Sequence, residues 1–420
     1  MTIANAFATG VRIRVVLFLF CLNALLYMSF SVLRDDLRAL AAYHLYHSTS
    51  NTTSDDLRGN TVASHIIEDI APSPVASIET PEPEFEGKAN ATLVFLARNS
   101  DLEGVLKSME SLETHFNHRF GYPWIFLNEE EFTEDRVKSK TNASVQFGLI
   151  PSRHWYQPDW IDEAKAEEGR NRLKASNVIY ADSVSYRNMC RFNSGFFFQH
   201  PLLQPYRYYW RIEPDVEYFC QLRYDPFDYL KEHNKTYGFT IALEELPQTI
   251  TTLWQAVKVA TEFKEQYPEY INPNNALAFL SDNGGDTYNL CHFWSNFEIA
   301  DMDFWRGEAY TKFFEFLDSR GGFYYERWGD APIHSIAAAL FLDKNQLHFF
   351  NDIGYQHANI MHCPQQPDYL TGSCTCNRVL SIGDSKPRKE YWELHAEYSD
   401  IDYRRYSCLP RYNRALGAKW

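Results

Sequence analysis

From position 89 onward the chain alternates short apolar runs with polar segments, and most of the apolar runs end on charge. ATLVFLARN (91–99) has the unbroken apolar stretch of a buried strand and opens onto Arg98 and Asn99. DLEGVLKSMESLETHF (101–116) repeats apolar residues at helical spacing, and YPWIFLNEE (122–130) is a second buried strand ending in acids. Strand, helix and strand in that order predict an α/β domain around a parallel central sheet. RYYWRIEP (207–214), YGFTIAL (237–243) and HFWSNFEIAD (292–301) read as further strands. GGFYYERWGDAPIHSIAAALFLD (321–343) reads as a loop feeding a buried helix, and LHFFNDIGYQH (347–357) as a late strand and loop. No repeat of fixed period is visible. In open α/β sheets ligands gather at the carboxyl ends of the strands, so the charges that close these runs are the first candidates for chemistry.

The pattern changes in the first 88 residues. Residues 15–33, VVLFLFCLNALLYMSFSVL, carry no charge and have about the length that spans a bilayer as a helix. Arg12 and Arg14 precede them, which predicts a cytoplasmic N-terminus. A cleaved signal peptide would be shorter and would end at a small-residue site, and none follows. Residues 1–14 are thus expected to be a cytoplasmic tail, 15–33 an uncleaved anchor, 34–88 a stem, and 89–420 a lumenal domain. The stem expectation rests on Ser, Thr, Pro and acids, which cannot bury enough apolar surface to fold.

Two features agree with a lumenal setting. N-x-S/T occurs at Asn51, Asn90, Asn142 and Asn234. Seven of the eight cysteines lie outside the anchor, and an oxidising compartment would pair some of them. Seven is odd, so one thiol at least stays free or pairs with another chain. Cys363, Cys374 and Cys376 beside His362 give only a weak zinc spacing. The net charge of −15 argues against a nucleic-acid partner. Neither G-x-G-x-x-G nor a P-loop is present.

YYWRIEPDVEYF (208–219) carries the strongest candidate chemistry. An apolar strand is interrupted by Arg211, Glu213, Asp215 and Glu217. Pro214 cannot donate to a ladder and tends to end a central strand, which frees the acids to face a cleft. Carboxylates there suit a hard divalent cation, and manganese accepts carboxylate with imidazole.

RYYWRIEPDVEYFC resembles the signature of the fungal KTR family of Golgi α-1,2-mannosyltransferases. SYRNMCRFNSGFFFQHPLL (185–203), YNLCHFWSNFEIADMDFWR (288–306), GGFYYERWGDAPIHSIAAALFL (321–342) and FFNDIGYQH (349–357) also resemble it, in the family's order, over about residues 90–400. The resemblance implies a GT-A-like nucleotide-sugar fold with a mixed central sheet, GDP-mannose as donor, Mn²⁺, and retention of the α configuration. It implies a single-pass type II Golgi membrane protein acting on mannosylated glycoprotein acceptors. Glu213 and His357 match the metal-binding pair. Arg211 and Tyr186 match residues around the donor diphosphate, Asp330 an active-site acid, and Glu298 a carboxylate that serves as nucleophile or as electrostatic support for the sugar cation. Arg98, after the first strand, is placed where the nucleotide would dock.

One stretch departs from the family. QTITTLW (248–254) has Gln248 where an acid is expected and Thr251 where a proline is expected. Gln keeps the shape of Glu but loses its charge, so acceptor binding, assigned to Gln248 and Trp254, is where this chain would differ. Two alternatives remain: transfer of mannose 1-phosphate by a protein of the same family, and a non-catalytic lectin-like role.

Overall fold

In the computed structural model of the chain, residues 87–132, 135–258, 267–382 and 406–417 are described. The expected tail and anchor, and the stem as far as residue 86, lie outside them. Among the described residues no helix is long and apolar enough to cross a membrane. The first apolar run forms β1 (Ala91–Leu96), followed by helix α1 (Leu102–Leu112) and β2 (Trp124–Asn128). Next come β3 (Val145–Leu149), α2 (Glu163–Ala175), α3 (Val184–Gly195), β4 (Tyr208–Ile212) and β5 (Val216–Tyr218). Then follow α4 (Pro226–Glu232), β6 (Tyr237–Phe239), β7 (Ala242–Glu244), β8 (Cys291–Phe293) and β9 (Glu298–Asp301). The chain continues with α5 (Glu308–Asp318), α6 (Asp330–Phe341), β10 (Leu347–Phe349), β11 (Tyr355–His357), β12 (Ile360–His362) and α7 (Leu409–Ala415).

The main sheet runs β10-β6-β9-β4-β1-β2-β3. Strands β4, β1, β2 and β3 are mutually parallel, as are β10 and β6, while β9 lies antiparallel to both β4 and β6. The sheet is therefore mixed, as the family resemblance implies, and β9 is the strand that departs from the parallel sheet read from the order of the first elements. Side chains alternate across it. Val94, Ile125, Leu127, Tyr209 and Ala300 face one core, shared with α3, α5 and α6. Leu93, Phe95, Trp124, Phe126, Trp210 and Ile299 face the other, shared with α1. Helix α6 is buried over most of its length, which fits a sequence apolar on all sides.

Two predicted strands are each broken in two. YGFTIAL splits into β6 and β7, and HFWSNFEIAD into β8 and β9; β7 pairs with β8 in a separate ribbon. The second break is a turn in which the Phe297 amide donates to the Trp294 carbonyl. Hydrophobicity alone could not mark it, because apolar residues continue through it. Three disulfides, Cys220–Cys374, Cys291–Cys408 and Cys363–Cys376, leave Cys190 free and buried in α3. The cysteines of the weak zinc reading are thus spent as disulfides.

Candidate active site

β4 delivers Arg211 and Glu213 on the same face of the sheet, at its carboxyl edge. The Arg211 Nε donates to Glu213 Oε1 at 2.8 Å, and its Nη1 to Asp330 Oδ2 at 2.5 Å. Asp330 is the first residue of α6 and also accepts from Ser295 Oγ at 2.8 Å. A carboxylate in the first turn of a helix is favoured by the helix dipole. Burial pushes the Asp330 carboxyl up, but Arg211, then His334, outweigh it and hold it below the usual carboxylate range. Burial alone would lower the Arg211 pKa, yet Glu213 and Asp330 keep it well above its ordinary value. Beyond Glu213 the chain turns at Asp215, whose φ of 60° is left-handed. Its N–H donates to the Gly104 carbonyl at 3.1 Å. A Cβ at Gly104 would lie 2.6 Å from Asp215 Oδ2, so the glycine lets α1 close against this turn. Asp215 and Glu217 point to solvent; of the three acids after Arg211, Glu213 alone joins the cluster.

Arg211 pairs with Glu298 across β4 and β9. Glu298 is fully buried. It accepts from the Tyr209 hydroxyl at 2.8 Å and the Tyr237 hydroxyl at 2.9 Å, and its Oε1 lies 2.7 Å from His334 Nδ1. The other ring nitrogen of His334 lies 3.0 Å from the Asn193 carbonyl. Each ring nitrogen thus faces an oxygen, which fixes the orientation of the imidazole. Burial, and then Glu298, push the two tyrosines well above their ordinary values, which keeps them donors. Trp305 Nε1 donates to the Tyr209 hydroxyl at 3.1 Å, and its ring stacks on His334.

A candidate cation site lies beside this cluster. His357 ends β11, which pairs with β5 just beyond the Glu213 turn. Burial lowers the His357 pKa more than the nearby Glu213 raises it, so the ring keeps a free lone pair at neutral pH. Its Nδ1 lies 2.7 Å from the Asn296 amide, and its ring stacks on Trp294 at 5.5 Å. It is the Asn296 Nδ2 that faces this nitrogen, and the contact helps to fix the orientation of the ring. Glu213 Oε2 has no protein partner among the described residues. Carboxylate plus imidazole fits manganese. Among the described residues no group of three or more His, Cys, Asp or Glu could hold a metal.

The other expected residues spread further. Tyr186, in α3, stacks on Tyr180 at 4.5 Å, and the Arg327 guanidinium lies 5.1 Å from its ring. Burial pushes its hydroxyl up, with Asp330 and Glu245 among the nearby charges, which places it beside the cluster. Arg98 lies on the same edge of the sheet but is bound by Asp101 at 3.0 Å and is 58% exposed. Gln248 is exposed. Trp254 stacks on Tyr288 at 5.0 Å and donates to the Gly285 carbonyl. Thr251, where the family pattern has proline, donates to Glu326 at 2.7 Å. Tyr209, Tyr237, Ser295, Asn296 and His334 had no sequence signal of their own. A lone histidine in an apolar helix reads as core, and only packing aims it at Glu298.

The match to the family described as glycolipid 2-alpha-mannosyltransferase covers residues 49–396. Glycolipid 2-alpha-mannosyltransferase 2 of Candida albicans is 47% identical over 340 residues, covering 80% of this chain and 69% of that protein. Alpha-1,2 mannosyltransferase KTR1 of Saccharomyces cerevisiae is 49% identical over 301 residues, covering 70% of this chain and 76% of that protein. Among solved structures, core-mannan synthase A from Aspergillus fumigatus in its Mn/GDP form is 38% identical with a TM-score of 0.70. That alignment covers 81% of this chain and 88% of the other. The mannosyltransferase Ktr4p of S. cerevisiae in complex with GDP is 41% identical with a TM-score of 0.69, over 78% and 82% of the two chains. The chain belongs to the glycolipid 2-alpha-mannosyltransferase family.

Proposed function

We propose that this chain is a retaining α-1,2-mannosyltransferase with a GT-A-like nucleotide-sugar fold. It moves mannose from GDP-mannose to a mannose residue of an O- or N-linked glycoprotein glycan. It works in the Golgi lumen, held by a single N-terminal span, with Mn²⁺ as cofactor. The observation that carries this reading is the Arg211–Glu213–Asp330 cluster at the carboxyl edge of β4, with His357 beside it. Relatives with the same fold hold Mn and GDP, or GDP. Three disulfides agree with an oxidising compartment.

Glu213 and His357 would hold the cation, which when bound offsets charge on the departing diphosphate. Arg211 is fixed by two carboxylates, so its remaining donor capacity is oriented before substrate arrives. Tyr186, kept protonated by burial, supplies a hydroxyl donor to the diphosphate oxygens. The transition state has the character of a sugar cation, as in glycoside hydrolysis. Glu298 has both carboxylate oxygens engaged, by three partners in all, and no exposed surface. That makes it a poor attacking atom and a good fixed negative charge, so we assign it to electrostatic support.

The test incubates the purified protein with GDP-mannose, Mn²⁺ and methyl-α-mannoside. The expected product is a neutral disaccharide that α-1,2-mannosidase cleaves. Glu213→Ala or a chelator should abolish it, with Glu213→Ala also weakening Mn²⁺ binding read by electron paramagnetic resonance. A product carrying mannose phosphate, or GDP-mannose binding without turnover, would overturn the assignment.

A further inference from the structure

Three of the four N-x-S/T motifs fall on described residues, and the sheet topology gives them a common address. Asn90 immediately precedes β1, Asn142 stands three residues before β3, and Asn234 three residues before β6. β1 and β3 run parallel through β2. β6 is antiparallel to β9, which is antiparallel to β4, so β6 also runs with β1. All three asparagines therefore lie at the amino edge of the sheet. Arg98, Arg211 and Glu213 lie at the carboxyl edge. A five-residue strand such as β4 puts about 15 Å between the two edges.

The three amides are not equivalent. Asn142 is exposed, and its side chain makes no hydrogen bond among the described residues. It sits on the rim of an open basin of about 510 Å³ with the polar walls Glu113, His118, Lys140 and Thr141. Asn234 is likewise exposed and unbonded, at a left-handed φ of 50° in the turn after α4. Asn90 is committed to the fold. Its Nδ2 donates to the Pro205 carbonyl at 2.9 Å, its Oδ1 is buried, and Thr92 of the same motif is fully buried. A glycan on Asn90 would cost that hydrogen bond and would have to leave from between β1 and the approach to β4.

We infer that Asn142 and Asn234 carry N-linked glycans, that Asn90 in the folded protein does not, and that the amino edge of the sheet is a glycan-bearing face pointing away from the catalytic cleft. In the modification the amide nitrogen bonds to C1 of the N-acetylglucosamine of a lipid-diphosphate-linked oligosaccharide. The C1–O bond to the lipid diphosphate breaks, the diphosphate leaves with the bonding pair, and the amide gives up one proton. The inference rests on the lumenal placement proposed above.

The experiment expresses the full chain in a yeast secretory pathway and maps glycopeptides by mass spectrometry, before and after endoglycosidase H. A non-reducing peptide map of the cysteines is made on the same sample. Glycans are expected at Asn142 and Asn234 and none at Asn90. Asn142→Gln and Asn234→Gln should each remove one step of gel mobility and leave mannosyl transfer unchanged. A bare Asn142 or Asn234 in protein whose three disulfides are formed overturns the assignment, as does an occupied Asn90 in the active fraction. Bare sites together with reduced cysteines would instead refute the lumenal placement, and the inference would fall with it.

Discussion

His334 shows how much one buried side chain decides. It faces Glu298 on one nitrogen and the Asn193 carbonyl on the other. Alanine would leave a buried carboxylate short of a donor, a loss of roughly 3–5 kcal/mol for a broken buried pair. Gln keeps one donor within reach. His334→Ala is therefore expected to fold poorly. His334→Gln should fold and lower kcat by about 10²-fold with the KM for GDP-mannose unchanged. An equal rise in KM would mean that His334 serves the donor pocket instead. His362 has a stability role. Burial pushes it down from 6.5 to about 4, and its Nε2 meets the Asn351 carbonyl at 2.9 Å. The unfolded chain takes up this proton first. Stability is thus intact above pH 6.5 and falls as pH drops toward 4, by roughly 3 kcal/mol for this group. Thermal unfolding of His362→Gln should lose less Tm across that window than the parent does, and parallel curves would remove His362 from the account.

At the scale of elements, the metal-side turn is held by a helix contact. Helix α1 approaches the Glu213–Asp215 turn closely because Gly104 has no Cβ, and the Asp215 amide bonds the Gly104 carbonyl. Gly104→Val forces the turn outward. Overpacking of this kind costs about 1–3 kcal/mol, and here it also displaces Glu213. The expected outcome is weaker Mn²⁺ binding by paramagnetic resonance with a drop in Tm of only several degrees. Unchanged metal affinity would show that the turn moves without Glu213. The two broken strands belong to this scale as well. Splitting 292–301 frees Ser295 and Asn296 from ladder bonding, and their side chains then reach Asp330 and His357.

Across the whole molecule, disulfides tie the late segment to the site. Cys220–Cys374 spans 154 residues and Cys363–Cys376 spans 13, and together they brace the ribbon of β5, β11 and β12 that carries His357. Replacing Cys220 and Cys374 by serine should cost about 2–4 kcal/mol and should weaken metal binding more than donor binding. Calorimetry and Mn²⁺ titration of the double variant check both parts. Loss of stability with intact metal affinity would confine the bridge to a structural role.

The amino-acid sequence by itself determined β1, α1, β2 and β4 and the charged ends of those strands, and with the family resemblance it pointed to Arg211, Glu213, Asp330 and His357 as candidates. These were legible because apolar period and strand-end chemistry are local, and because five blocks resemble one family in order. It also gave an odd number of cysteines outside the expected anchor, so that one at least stays free or pairs with another chain, though not which. Only the tertiary structure decided the antiparallel insertion of β9, since a turn inside an apolar run carries no periodic signal. The same holds for the enclosure of Glu298 by Tyr209, Tyr237 and His334, which are separated from it by 89, 61 and 36 residues. Hydrogen-bond partners that far apart are set by packing, and packing is settled by the whole chain at once.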